Sequence, residues 1–304
     1  MARYSGPIVD SHHHLWRLTP GSHPWLGEGR EEIVRDVLPP DYTATFSEFD
    51  IRATVLVEAL AGYPLRELQE AETWRQSTGG RIATAVIAHA PLDSPRIGTV
   101  LDRYRDVSPA FRGIRDIISA GPRKPSFARS PDLLTRPAFR DGLAALAQRD
   151  LVFDLMLDPT QLEAAAALLL DIPELSVAIE HAGHPRDRTP DGRKQWRVGM
   201  ARLADRPNTI VKVSALQVHD PNWTVESLST VVCPLVDLFG VQRLCFGTDY
   251  PVHDLACPGP VAIDAMLDVT EDWAASDQSA FFHGTATSFY GLADHESKQT
   301  RLHP

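Results

Sequence analysis

The sequence lacks most of the features that would take it out of the class of ordinary small-molecule enzymes. No stretch approaches the roughly 18 consecutive apolar residues of a membrane span; the longest run, Ala164 to Leu170, is a piece of a buried helix. The opening MARYSGPIVD has no apolar core of a secretory leader. Cysteine is scarce. Cys233, Cys245 and Cys257 cannot all pair and none belongs to a CxxC, which argues against a disulfide scaffold and for a reducing cytoplasm. Positive charge is short as well: 30 Lys and Arg against 40 Asp and Glu leave a net charge of −10. Nucleic acid and anionic membrane are therefore not expected as partners, because both demand clustered cations. Neither GxGxxG nor GxxxxGK[ST] follows the first apolar run, so the common phosphate-cradling turns are missing. What remains is a globular chain acting on a small-molecule substrate, with homo-oligomerisation left open.

What the sequence does have is a regular alternation. Eight short apolar runs, Ile8–His14, Ala53–Ala59, Ile82–Ala88, Phe111–Ile117, Leu151–Leu157, Leu175–His181, Thr209–Val213 and Arg243–Gly247, are rich in Val, Ile, Leu or Phe at successive positions. Parallel strands covered by helices on one side and packed on the other read this way. Helix-like stretches lie between them: Leu65–Thr78, Ser94–Arg105, Pro137–Arg149, Thr160–Leu170, Arg193–Asp205, Glu226–Phe239 and Pro260–Trp273. The pattern predicts an α/β fold, a single (β/α)8 barrel spanning 1–304, in preference to an open doubly wound sheet. Leu18 to Pro40 and Ile118 to Pro137 resist either assignment. Both follow the C-terminal ends of expected strands, where a barrel builds its active site.

Three of those ends carry chemistry. In Asp10-Ser11-His12-His13-His14 the side chains alternate, so His12 and His14 share one side and can converge on a cation. The sixth run ends in Ile179-Glu180-His181-Ala182-Gly183-His184-Pro185, placing His181 at the mouth and His184 on the following loop. The eighth run delivers Asp249 in Gly247-Thr248-Asp249-Tyr250-Pro251, and a carboxylate buried there is costly unless it meets a cation. Together His12, His14, His181 and Asp249 make a nitrogen and oxygen set with an open position, which suits a catalytic zinc.

The segments VDSHHHLW, FRGIRDI, VFDLMLDPTQL, IEHAGHP, VKVSALQ, LCFGTDYPV and FFHGTATSFYGL, in that order over residues 8–292, resemble the amidohydrolase superfamily. The likeness is to its lactonase-like branch of amidohydrolase-related TIM barrels, which holds fuconolactonases, rhamnonolactonases and 2-pyrone-4,6-dicarboxylate lactonases. Glu180 stands where that branch commonly has Asp, His184 where a Lys is usual nearby, and Tyr250 where Trp is usual. No Lys lies in Phe111–Ile117 or Leu151–Leu157 to make the bridging carboxylate of two-metal members. The resemblance thus implies one divalent ion, zinc by preference, while the branch also holds enzymes that work without a metal.

The reaction so implied is opening of a lactone ring, of sugar-acid or pyrone type, by water attacking a polarised carbonyl. Asp249 takes the proton and hands it to the leaving oxygen, and His181 serves beside it as a catalytic residue. Arg112 and Arg115 offer a guanidinium fork for a carboxylate, and their odd separation lets only one face the pocket. Glu58 and His89 end the second and third strands, Lys212 lies on the seventh, and Trp16, Trp25 and Tyr250 could form an apolar wall. With His184, these are the expected substrate contacts. The competing readings are a metal-dependent non-oxidative decarboxylase of the same superfamily and a barrel that only binds a ligand.

Overall fold

Eight strands, all parallel, form one sheet in sequence order in the computed structural model, which describes residues 3–121 and 127–292. They are β1 (Ile8–His13), β2 (Ile51–Val57), β3 (Ala85–Ala88), β4 (Phe111–Arg115), β5 (Val152–Leu155), β6 (Val177–Ile179), β7 (Thr209–Val213) and β8 (Leu244–Phe246). The helices are α1 (Pro39–Thr45), α2 (Pro64–Ser77), α3 (Ile97–Val107), α4 (Pro137–Ala147), α5 (Leu162–Leu169), α6 (Pro190–Ala204), α7 (Val225–Phe239), α8 (Gly259–Val269), α9 (Ala275–Ser279) and α10 (Thr285–Tyr290). None among the described residues is long and apolar enough to cross a membrane.

The strands form where residues can be buried on both faces: β1, β3, β5, β6, β7 and β8 are buried throughout. The helices turn one stripe inward, as α3 does with Ile97, Leu101 and Tyr104 at the four- and three-residue spacing of a helix face. Proline in the first turn starts α2, α4 and α6, where its missing N–H costs nothing. Inside the barrel, Val9, Val55, Ile87, Val152, Ala178 and Ile210 make a separate apolar cluster that Tyr290 of α10 joins.

The first and last strands meet at a seam. His13 and Tyr250 are bridged in parallel, the Asp249 N–H donates to the His12 carbonyl at 2.7 Å, and the His14 N–H donates to the Tyr250 carbonyl at 2.7 Å. Gly247 makes this approach possible, since a Cβ there would stand 2.8 Å from the His12 Cβ and 3.0 Å from its backbone nitrogen. The result is the (β/α)8 barrel.

Several boundaries differ from the sequence expectation. β3 starts at Ala85 rather than Ile82, because Ala83 takes a φ of 55° and the Thr84 hydroxyl donates to the Gly80 carbonyl, turning the chain before it can enter the sheet. β6 stops at Ile179, before His181. The stretch after β1 is a loop closed at its base by the Trp16 and Val37 backbones, each donating to the other at 2.9 Å, and α1 starts at Pro39. Part of the second irregular stretch, 122–126, lies outside the described residues. The helices α9 and α10 were not anticipated.

Candidate active site

The seam between β1 and β8 builds the centre of the site. His12 and His14 point to one side. His13 points to the other, with its Nε2 2.9 Å from Thr54 Oγ1 and its ring against Tyr42. His14 Nδ1 lies 2.8 Å from the Val57 carbonyl. A carbonyl only accepts, so Nδ1 carries the proton and Nε2 keeps its lone pair. Asp249 is held at a φ of 59°, a left-handed conformation that aims its carboxylate back at the two imidazoles.

His12 Nε2, His14 Nε2 and Asp249 Oδ1 then stand at the corners of a triangle with sides of 3.3, 3.5 and 3.6 Å. Ligand atoms on tetrahedral bonds of about 2.0–2.2 Å are about 3.3–3.6 Å apart. The triangle has the dimensions of one face of a zinc-type tetrahedron. Behind it, His12 Nδ1 is 3.6 Å from Glu180 Oε1, and neither buried atom has a hydrogen-bond partner. Burial, reinforced by the charge of Lys212, holds the His12 imidazole well below its ordinary range, so it stays neutral and able to ligate.

After β6 the backbone turns sharply, with His181, Ala182 and His184 at φ of 50°, 55° and 54°. Conformations like these cost about 1–3 kcal/mol each in a non-glycine residue and gather at functional sites. The turn brings the His181 ring within 4.6 Å of His12 and 4.9 Å of His184, and His219 continues the row at 5.2 Å from His184. His181 Nδ1 is fixed by Ser214 Oγ at 2.9 Å. His181 belongs to a second group of potential ligands, with His12 and Glu180, that overlaps the first through His12. Burial pushes His181 and His184 well below the usual imidazole range, and burial with the nearby Arg186 charge brings His219 down to about 3.

A buried ion network stands beside this row. Arg115 Nε donates to Glu58 Oε1 at 2.5 Å and Nη1 to Glu180 Oε2 at 3.3 Å, while Nη2 donates to the Glu58 carbonyl. Burial alone would raise both carboxyls. Beside Arg115 the Glu58 carboxyl is nevertheless held below its usual value, whereas for Glu180 burial prevails and lifts it to about 7.

These groups open onto a cavity of about 410 Å³. His14, His181 and Asp249 line it, and so do Arg115 and His184. Other expected contacts do not reach it. Arg112 is engaged away from the cavity, donating to the carbonyls of Tyr290 and Pro109. Lys212 points into the barrel and pairs with Asp154 at 2.5 Å, both side chains fully buried. Trp16 donates its indole N–H to the Arg35 carbonyl at 2.7 Å, and Tyr250 packs edge-on against Tyr42 and Phe46. Glu58 and His89 stand one layer behind the wall, Glu58 on Arg115 and His89 with Nδ1 3.1 Å from the Arg115 carbonyl. In their place the wall contains Trp25, Arg30, Arg186 and His219. Of these only Trp25 was anticipated. The position of the irregular loop after β1 was the one sequence signal that pointed to Arg30.

The family model described as Amidohydrolase matches residues 9–292. The chain belongs to the amidohydrolase family. This amidohydrolase is a hydrolase by descent, and it is 30% identical to the protein y4mH of Sinorhizobium fredii over 93% of this chain and 98% of the other. It is 28% identical to an L-fucono-1,5-lactonase of Burkholderia multivorans, over 94% and 96% of the two chains. Among solved structures, a zinc-bound amidohydrolase from Burkholderia multivorans superposes with a TM-score of 0.84 at 26% identity, covering 95% of this chain and all of that one. Metal binding thus occurs in a solved relative of this chain, and the His and Asp groups described above are placed to hold an ion.

Proposed function

We propose that this amidohydrolase hydrolyses a lactone to the open hydroxy acid at a site for one zinc-type divalent ion. The observation that carries the reading is the triangle of His12 Nε2, His14 Nε2 and Asp249 Oδ1, with tetrahedral spacing and opening on the cavity. Kinship to a lactonase supports the choice of substrate class. His12, His14 and Asp249 would hold the ion with His181 facing it, and when bound it supplies Lewis acidity to the carbonyl and to water.

The chain's own groups do the rest. Asp249 takes the proton of the attacking water and returns it to the ring oxygen as the acyl C–O bond breaks. His181, kept neutral by burial and fixed by Ser214, presents Nε2 to the reacting centre. Arg115, clamped by Glu58 and Glu180, acts as a rigid positioning residue at the cavity wall. The substrate is a small molecule, and the three free thiols suit a reducing compartment such as the cytoplasm.

The test is metal analysis of the purified protein together with a pH-stat assay on a lactone panel and on hydroxybenzoic acids. About one equivalent of metal and acid release from lactones are expected. Carbon dioxide release from the aromatic acids with inert lactones would establish the decarboxylase reading instead. Full lactone turnover by demetallated protein would remove the ion from the scheme.

A further inference from the structure

Ring opening asks only for a lactone carbonyl, whereas the cavity wall constrains the rest of the molecule. Among the described residues that line it, no Ser, Thr, Asn, Gln or Tyr side chain occurs, and Asp249 is the sole carboxylate. More than half of the described wall is apolar, with Trp25, Ile117, Phe127, Met156, Val252 and Leu255 among its members. A polyhydroxylated ring entering such a space leaves water behind and finds few partners. Each hydroxyl left unpaired costs about a factor of ten in binding. An apolar ring loses nothing there and gains by burial.

The polar part of the wall is narrow in kind. Among the described residues, its side chains outside the metal centre are arginines and imidazoles. His184 Nδ1 and His219 Nε2 are buried without a partner, enough to meet one polar atom apiece. Arg115 is already saturated by two carboxylates. Arg30 is not. Its guanidinium lies 5.7 Å from the centre of the Trp25 indole, held by a 3.4 Å hydrogen bond from Nη1 to the Trp25 carbonyl, and no carboxylate among the described residues stands within ion-pair distance of it. A preformed cation seated on an aromatic wall is a receptor for an anion attached to a flat apolar body.

We infer that the substrate is a lactone with an apolar, ring-bearing body and one carboxylate that docks on Arg30, not a polyhydroxylated sugar-acid lactone. The inference rests on the lactonase reading and makes Arg30 a specificity-determining residue, although the lactonase to which the chain is 28% identical acts on a sugar lactone.

The experiment compares 5-carboxyphthalide, unsubstituted phthalide and L-galactono-1,4-lactone on the protein as isolated, wild type and Arg30→Gln. It adds calorimetry with the ring-opened diacid of the first and with L-galactonate. The carboxylated phthalide should exceed the aldonolactone in kcat/KM by about a hundredfold, the effect of two unpaired hydroxyls. Arg30→Gln should raise KM for the carboxylated phthalide by about tenfold with kcat nearly kept, and should affect the parent phthalide less. An aldonolactone turned over as well or better, or an Arg30→Gln effect equal on both phthalides, overturns the inference and leaves the lactonase reading intact. If no lactone opens, the lactonase reading fails. Calorimetry then decides the cavity's preference: tighter binding of galactonate than of the aryl diacid sinks it, and the reverse order supports it.

Discussion

Replacing Lys212 by Met is expected to loosen the barrel far more than it slows turnover. Lys212 Nζ sits 2.5 Å from Asp154 Oδ2 with both side chains fully buried, and 5.2 Å from the centre of the Tyr290 ring. Tyr290 in turn donates its hydroxyl to Asp154 Oδ1 at 3.0 Å. Methionine keeps the length of the side chain and removes the ammonium, leaving Asp154 with one neutral donor and no counter-charge. Breaking a buried pair in this way costs about 3–5 kcal/mol, a large part of the roughly 5–15 kcal/mol that holds a domain folded. At about 2–4 °C per kcal/mol for a chain of this size, Tm should fall by about 6–20 °C. Adding Asp154→Leu removes the stranded charge and should restore most of the loss, short of full recovery because the Tyr290 hydroxyl is then unpaired at about 1–3 kcal/mol. Calorimetry and urea unfolding measure the stability, and steady-state kinetics on the best lactone should give KM within about twofold of wild type. A Lys212→Met protein with unchanged Tm and a raised KM would refute the argument and return Lys212 to the substrate.

Other outcomes follow from the site. Asp249→Asn keeps the volume but not the basicity, and kcat should drop by about 10²–10⁴ with Tm nearly unchanged; near-normal kcat would send the proton elsewhere. His14→Ala removes one corner of the 3.3–3.6 Å triangle, so metal content by mass spectrometry should fall below half of wild type, and full occupancy would reject the triangle. His219 is held at about 3 by burial, against an ordinary value of 6.5. Only the unfolded chain protonates it between those limits, so stability should be lost as pH falls from 7 towards 3. His219→Gln should flatten that loss in urea titrations at pH 7 and 5, and an unchanged slope would show the group to be titrating in the fold.

The barrel was legible because parallel strands buried on both faces leave continuous apolar runs such as Val177–Ile179 and Leu244–Phe246. The ligand-type residues were legible because they stand where β1 and β8 end, and a polar residue at the end of an apolar run has few structural reasons to be there. Direction was harder. Arg112 and Arg115 differ by an odd number, so one had to face inward, yet which one depends on a register that no local pattern encodes. Lys212 looked like a mouth residue because its partner, Asp154, is 58 positions away. His181 follows β6 through a left-handed turn, so strand alternation could not tell where its ring points. Arg30 reaches the cavity from a loop without periodicity, where sequence gives location in the chain and nothing about direction.

The seam between β1 and β8 also bears on how the protein is made. A chain emerging from its N-terminus exposes His12 and His14 at the outset, but their carboxylate partner, Asp249, follows only near the end of the strand-forming sequence. Until then the two imidazoles form an incomplete donor set, open to whatever soft cation or misplaced carboxylate it meets. Selective loading becomes available only once the last strand docks on the first and the Asp249 N–H reaches the His12 carbonyl. For the ion proposed above, occupancy of the centre is thereby a report on completed synthesis, and a fragment ending before β8 keeps two of the three corner residues and none of the closed triangle.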